Sequence, residues 1–153
     1  MLKIMFVCHG NICRSPMAEF VMKDLMSKEI SENKVYIASS ATSREEIGNP
    51  VHYGTAKKLS CYGISVAGKY AVQFTEKDYR EYDYIIIMDS LNLHNINKII
   101  GTDTEKKVYK LLDFAGGGDV ADPWYTGDFD KTYNDILRGC KGLLKTITQK
   151  GLI

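Results

Sequence analysis

Leu2-Lys3-Ile4-Met5-Phe6-Val7-Cys8-His9-Gly10-Asn11-Ile12-Cys13-Arg14-Ser15-Pro16 decides the fold, because it joins an apolar strand to a helix start through the loop 8–14. Residues 2–7 are a short, mostly apolar run, the pattern of a buried strand. Ser15 reads as the N-cap of the next helix and Pro16 as its first residue, where a missing N–H is harmless. A loop so placed is an anion site. Its backbone N–H groups, the unpaired N–H groups of the first helical turn and the positive end of the helix dipole all favour a phosphate-sized dianion. Cys8 lies beneath that anion, in a field that favours the thiolate, the nucleophilic form of the side chain. Arg14 supplies a planar fork of donors suited to two oxygens of one phosphoryl group. Ser15 is placed to hydrogen-bond the sulfur or to help it leave. His9, Gly10, Asn11, Ile12 and Cys13 complete the candidate binding loop with Arg14 and Ser15, and Asn11 is also a turn residue that tolerates positive φ.

At 153 residues the chain has the length of one domain with a well-buried core. Twenty basic against 19 acidic residues give a net charge of +1, which makes no electrostatic case for nucleic acid or an anionic membrane as a partner. No apolar run approaches the ~20 residues of a membrane span, and no secretory leader pattern opens the chain, so a cytoplasmic location is expected. Cysteines at 8, 13, 61 and 140 are too few and too irregular for a disulfide framework. With histidines only at 9, 52 and 94 and no Cys-x-x-Cys pair, zinc has no ligand set, and no metal or other cofactor is expected. Cys61 and Cys140 read as small buried hydrophobes on helices.

Outward from the loop, residues 16–30 carry Met17, Phe20, Val21, Leu25 and Met26 near helical spacing. Residues 34–39 alternate through Val35 and Ile37 toward a second strand, which makes a right-handed parallel crossover with the first. Segment 40–51 reads as an irregular loop leaving the carboxyl end of that strand, where open α/β sheets bind ligands. Residues 52–62 predict a helix stopped by Gly63, residues 75–82 a short helix opened by Thr75, and residues 84–88 a central parallel strand. A helix over 90–100 and a fourth strand over 108–112 follow. Gly116-Gly117-Gly118-Asp119 begins a loop carrying Asp122-Pro123, and Phe129, Tyr133, Ile136, Cys140, Leu143 and Ile147 mark an amphipathic final helix. Four strands alternating with helices predict an α/β fold over 1–153: a single-domain, doubly wound, four-stranded parallel sheet with helices on both faces.

Cys8, five residues, Arg14 and Ser15 spell Cys-x5-Arg-Ser, and the fuller string Cys-x-Gly-Asn-x-Cys-Arg-Ser-Pro-x-Ala-Glu resembles the signature of the low-molecular-weight protein tyrosine phosphatases. Ser40-Ala41-Thr42-Ser43 with Ile47-Gly48-Asn49-Pro50, Met88-Asp89-x-x-Asn92 and Asp122-Pro123-Trp124-Tyr125 fall in that family's order. The resemblance implies the same doubly wound fold and a phosphocysteine formed at Cys8. It puts the general acid at Asp122, which on residue type alone is equally an ordinary turn aspartate. It also implies that Asn11 shapes the loop through side-chain hydrogen bonds, one to Ser39. Trp124 and Tyr125 are either a hydrophobic anchor for their loop or one wall of a slot for an aromatic ring. Glu45 stands where animal members commonly carry an aromatic, which implies weaker selectivity for aryl phosphates. Lys69, Tyr70 and Val72 replace His and Arg residues common in bacterial members. Cys13 resembles the family's resolving thiol; its other reading is a side chain packed under the loop.

These residues predict a phosphatase acting on phosphotyrosine protein or a similar small phosphomonoester and inhibited by phosphate-like oxyanions. Two rivals remain on the sequence. Thiol-dependent arsenate reduction needs further resolving cysteines near the loop, and a non-catalytic phosphate-binding module needs neither Cys8 nor Asp122.

Overall fold

Strand β1 (Leu2–Cys8) is covered on both faces, with Ile4, Phe6 and Cys8 in one apolar cluster and Met5 and Val7 in another. Side chains alternate along a strand, so a strand with two apolar faces belongs at the centre of a sheet between helical layers. The computed structural model, which describes residues 1–29 and 32–153, places it there. The other strands are β2 (Val35–Ala41), β3 (Tyr84–Ile87) and β4 (Val108–Lys110), in the spatial order β2-β1-β3-β4, all parallel. Val7 pairs with Ser40 on one side and Ile87 on the other. The chain therefore moves outward from β1 first to β2 and then, in the opposite direction, to β3. That reversal opens a crevice at the carboxyl end of β1, the place where doubly wound sheets bind ligands.

The helices are α1 (Arg14–Met26), α2 (Tyr53–Ser60), α3 (Glu76–Glu81), α4 (Ser90–Ile100), α5 (Pro123–Thr126) and α6 (Phe129–Gln149). Helices α1 and α6 cover the face of Ile4, Phe6, Tyr84 and Ile86, with Met17, Met22, Ile136, Leu143 and Ile147 fully buried. Tyr79 of α3 and Ile96 of α4 cover the opposite face, against Met5, Val7, Ile85 and Ile87. The fold class, the four strands and the flanking helices are those predicted.

Four local expectations are corrected. First, α1 begins at Arg14 and Cys13 is its N-cap, with no side-chain capping bond, because the Ser15 hydroxyl faces Cys8 across the loop. The first turn thus keeps its amides uncapped beside the nucleophile candidate. Second, the helix ends at Met26; the expected end at Ile30 lies outside the described residues. Third, β4 stops at Lys110, and Leu111–Ala115 tighten into a 3₁₀ turn whose Leu111 and Leu112 are buried. Asp113 accepts the Lys110 N–H at 3.0 Å and Gly116 closes the turn at φ +97°. Fourth, Cys61 is exposed at the C-cap of α2, whereas Cys140 is fully buried as expected. The four-residue helix α5 was not foreseen, although Asp122 as N-cap before Pro123 is a helix-start signal.

Helix α6 crosses the 3₁₀ turn very closely, and this contact holds the base of the loop that carries Asp122. A Cβ built on Gly142 would stand 2.0 Å from the Phe114 carbonyl oxygen, and one on Gly139 2.5 Å from Leu111 Cγ. Glycine inside a helix ordinarily costs about 1 kcal/mol relative to alanine. Here the sign reverses, since the obstacle at Gly142 is backbone. Gly142→Ala should lower stability by about 1–3 kcal/mol, the usual cost of overpacking, read as a fall in the urea midpoint. An unchanged or higher midpoint would show that α6 is not pinned to the turn.

Candidate active site

Cys8 ends β1 with its side chain almost wholly buried, and the chain then turns back through residues 9–13 into α1. Among the described residues, no backbone N–H from His9 to Arg14 donates to a protein acceptor. Six adjoining amides without partners, followed by a helix N-terminus, form a concavity suited to an oxyanion. The Ser15 N–H donates to Cys8 Sγ at 3.4 Å, and Ser15 Oγ lies 3.1 Å from the same sulfur.

The loop is held from behind by a buried polar chain. Asn11 sits at φ +58°, a conformation that asparagine tolerates better than most residues. Its Nδ2 donates to Ser15 Oγ at 2.7 Å and to Ser39 Oγ at 2.9 Å, and its Oδ1 accepts from the Val72 N–H at 3.1 Å. Ser39 Oγ in turn donates to Glu19 Oε1 at 2.6 Å. An ionised carboxylate only accepts, so Glu19 makes Ser39 a donor and leaves Ser39 free to accept from Asn11. Direction is thereby fixed along the whole chain to Ser15. Lys69 Nζ donates to the Ser39 carbonyl at 2.8 Å and lies 3.6 Å from Glu19. Burial lowers its pKa, with Glu19 pulling the other way. Lys23 holds the second oxygen of Glu19 at 2.6 Å.

Arg14 is 3% exposed and reaches across to the other strand ends. Its Nη1 donates to Asp89 Oδ2 at 2.7 Å and to the Val120 carbonyl at 3.0 Å, and its Nη2 to Asp122 Oδ2 at 3.3 Å. Burial alone would weaken its charge, but the Cys8 sulfur, Asp89 and Asp122 outweigh it and raise the guanidinium pKa. Asp89, directly after the segment that ends β3, is also the N-cap of α4, where it accepts the Asn92 N–H at 2.8 Å. Asp122 caps α5, with Oδ1 accepting the Trp124 N–H at 3.0 Å.

These groups surround a cavity of about 210 Å³ lined by Cys8, His9, Gly10, Ile12, Cys13, Arg14, Glu45, Glu46, Asp122, Trp124 and Tyr125. The sequence candidates therefore meet at one place, with two exceptions. The Asn11 and Ser15 side chains are buried behind the loop, so they position it and offer the cavity only backbone. Trp124 and Tyr125 are mostly exposed at the mouth, which fits a wall and not a buried anchor. The Trp124 ring is set edge-on to His52 at 5.9 Å. Cys13 lines the cavity, but burial first, and then the Cys8 sulfur and Asp122, push its thiol up to about 12, so it stays protonated at neutral pH. Asp89, Glu46, Glu19 and Lys69 were not singled out as site residues from the sequence. Asp89 carried a signal, as an acid just past a central strand, and Glu19 closes the signature string; Glu46 and Lys69 join the site only through the turn of the chain.

The sequence model of the low molecular weight phosphotyrosine protein phosphatase family matches residues 3–152. The low molecular weight protein-tyrosine-phosphatase YfkJ of Bacillus subtilis is 40% identical over 98% of each chain. Its crystal structure superposes with a TM-score of 0.94, covering 98% of this chain and 96% of that one. The crystal structure of SP-PTP, a low molecular weight protein tyrosine phosphatase from Streptococcus pyogenes, is 43% identical, covers 96% of this chain and 93% of that one, and gives a TM-score of 0.85. A near full-length match of sequence and fold, with the Cys8 to Ser15 signature at the floor of the cavity, makes this chain a member of the low molecular weight phosphotyrosine protein phosphatase family.

Proposed function

We propose that the cavity hydrolyses phosphotyrosine in proteins, and related small aryl phosphomonoesters, through a phosphocysteine at Cys8. The observation that carries this reading is the run of amides from His9 to Arg14 without a protein acceptor, in the loop between Cys8 and the Ser15 N–H that donates to its sulfur. The phosphoryl oxygens take those amides and the Arg14 fork, which are aimed before substrate arrives and so need no reorganisation in the transition state. The Cys8 thiolate attacks phosphorus, the S–P bond forms and the P–O bond to the tyrosine oxygen breaks. Asp122 gives that oxygen its proton. Water then attacks phosphorus, Asp122 takes its proton, and the S–P bond breaks to release inorganic phosphate and restore the thiolate. Nucleophile, acid and anion cradle all come from side chains and amides of this one chain.

Arsenate reduction is less well supported, because exposed Cys61 does not line the cavity and the buried Cys13 is held as a thiol. Phosphate-like oxyanions should inhibit by taking the same amides. Among the described residues no helix is long and apolar enough to cross a membrane, and no cluster of His, Cys, Asp or Glu would hold a metal ion. The four free cysteines support placing the reaction in the cytoplasm.

Cys8→Ser should abolish turnover of p-nitrophenyl phosphate while leaving phosphate binding by calorimetry largely intact, whereas Arg14→Lys should weaken both, since an ammonium cannot copy the fork. Near-normal turnover in Cys8→Ser rejects the mechanism. Asp122→Ala should slow turnover by about 10²–10⁴, with smaller losses as the leaving group improves. Equal losses across a series of aryl phosphates would move the acid elsewhere. Asp89→Asn keeps a competent helix cap but loses the charged partner of Arg14, so kcat/KM should fall roughly tenfold, about 1.5 kcal/mol for one charge-assisted hydrogen bond, at nearly unchanged Tm. A parallel loss of Tm would make Asp89 merely structural.

A further inference from the structure

The floor of the cavity is built for an anion, yet its mouth is acidic. Glu45 and Glu46, on the loop that follows β2, line the same cavity as Cys8 and Arg14, and no lysine does so among the described residues. Arg14, which lines the cavity, is already shared, since it sits between Asp89 and Asp122. Apart from His9, which meets Glu45 at the lip, the nearby basic side chains face away: Arg44 donates to Gln73 Oε1 at 3.0 Å, and Lys69 is turned to Ser39 and Glu19 behind the loop.

Neither lip carboxylate hangs free. Glu45 Oε2 is 2.9 Å from His9 Nε2, which ties it to the phosphate-binding loop itself. Glu46 Oε2 accepts from Asn49 Nδ2 at 2.6 Å, and its Cγ stands 3.2 Å from where a Cβ on Gly10 would be, so its stem lies across that glycine. The backbone adds two more ties, from the Thr42 N–H to the Cys8 carbonyl at 2.9 Å and from the Ser43 N–H to the His9 carbonyl at 3.0 Å. Two negative charges are thus fixed beside a site that must accept a dianion. Like charges so placed oppose phosphate binding unless the ligand brings a cation to the lip.

We propose that Glu45 and Glu46 select phosphotyrosine segments carrying lysine or arginine next to the phosphorylated residue, a specificity that rests on the phosphatase reading above. The phosphate goes to the loop amides, the ring passes between the lip and Trp124, and the flanking cation meets the carboxylates at the rim. A segment with glutamate in that position meets them with the same sign. At rim separations and an effective dielectric between that of water and a protein surface, each attraction or repulsion is worth several-fold in affinity.

The test is kcat/KM for paired phosphotyrosine peptides with lysine or glutamate on both sides of the phosphotyrosine, at low salt and at 0.5 M salt, for the wild type, Glu45→Gln, Glu46→Gln and the double variant. The wild type should prefer the lysine peptide by about five- to tenfold at low salt, and the preference should shrink at high salt as the charges are screened. The double variant should lose most of the preference. Equal rates for the two peptides with wild-type enzyme overturn the proposal without any variant, and a preference that survives in the double variant overturns it as well. Hydrolysis of p-nitrophenyl phosphate by the wild type separates the two readings: absence of turnover rejects the phosphatase function, whereas turnover without peptide preference rejects only the acidic lip.

Discussion

Arg14 ties three strand ends together. It leaves the loop after β1, reaches Asp89 after β3, and reaches the Val120 carbonyl and Asp122 after β4. A guanidinium buried to this degree is tolerable only when its donors are satisfied and its charge is compensated. Both conditions are met by groups that the sheet brings together and the sequence separates by 75 and 108 residues. The fold is therefore a precondition of the site: remove the switch in strand order at β1 and the arginine loses its partners. Because Asp89 and Asp122 keep some contact with solvent, the pairs are worth less than fully buried ones, and their main effect is to fix where the fork points.

A second constraint works from behind. Asn11 holds a left-handed backbone turn that most residues resist, and it stays there because its amide is satisfied three times over by Ser15, Ser39 and Val72. The buried carboxylate of Glu19 orients this chain through Ser39. Loop amides that point at the ligand are, by construction, amides that cannot point at the protein, so the loop needs side chains to keep its shape. Lys69 closes the chain from behind: its ammonium lies beside Glu19 and the Ser39 carbonyl, turned away from the cavity.

Much of this was legible in the residue order. Apolar runs identified β1 and β3, Thr75 marked the start of α3, the helix expected over 90–100 matches α4, and amphipathic spacing identified α6. Cys8 and Arg14 were singled out by spacing and type, and Asp122 by the resemblance to the family. What failed was the assignment of polar side chains with two available partners. Ser15 looks like an N-cap, but its partner is a sulfur across the loop; β4 looks longer because Leu111 and Leu112 extend an apolar run that α6 bends into a 3₁₀ turn. Cys61 was expected to be buried by residue type, yet its place at the end of α2 leaves it in solvent. Asp89 and Glu46 escaped because their roles depend on chain segments remote in sequence or folded back over a glycine.

The central claim is that phosphate is transferred to one atom, Cys8 Sγ, before water receives it. Rapid acid quench of the enzyme during turnover, followed by proteolysis and mass spectrometry, reads that atom directly. The account predicts a phosphoryl group on the peptide bearing Cys8, absent from enzyme quenched before substrate is added and lost on standing at neutral pH. A phosphoryl group found on His9 or on any residue other than Cys8, with Cys8 unmodified throughout turnover, would contradict it.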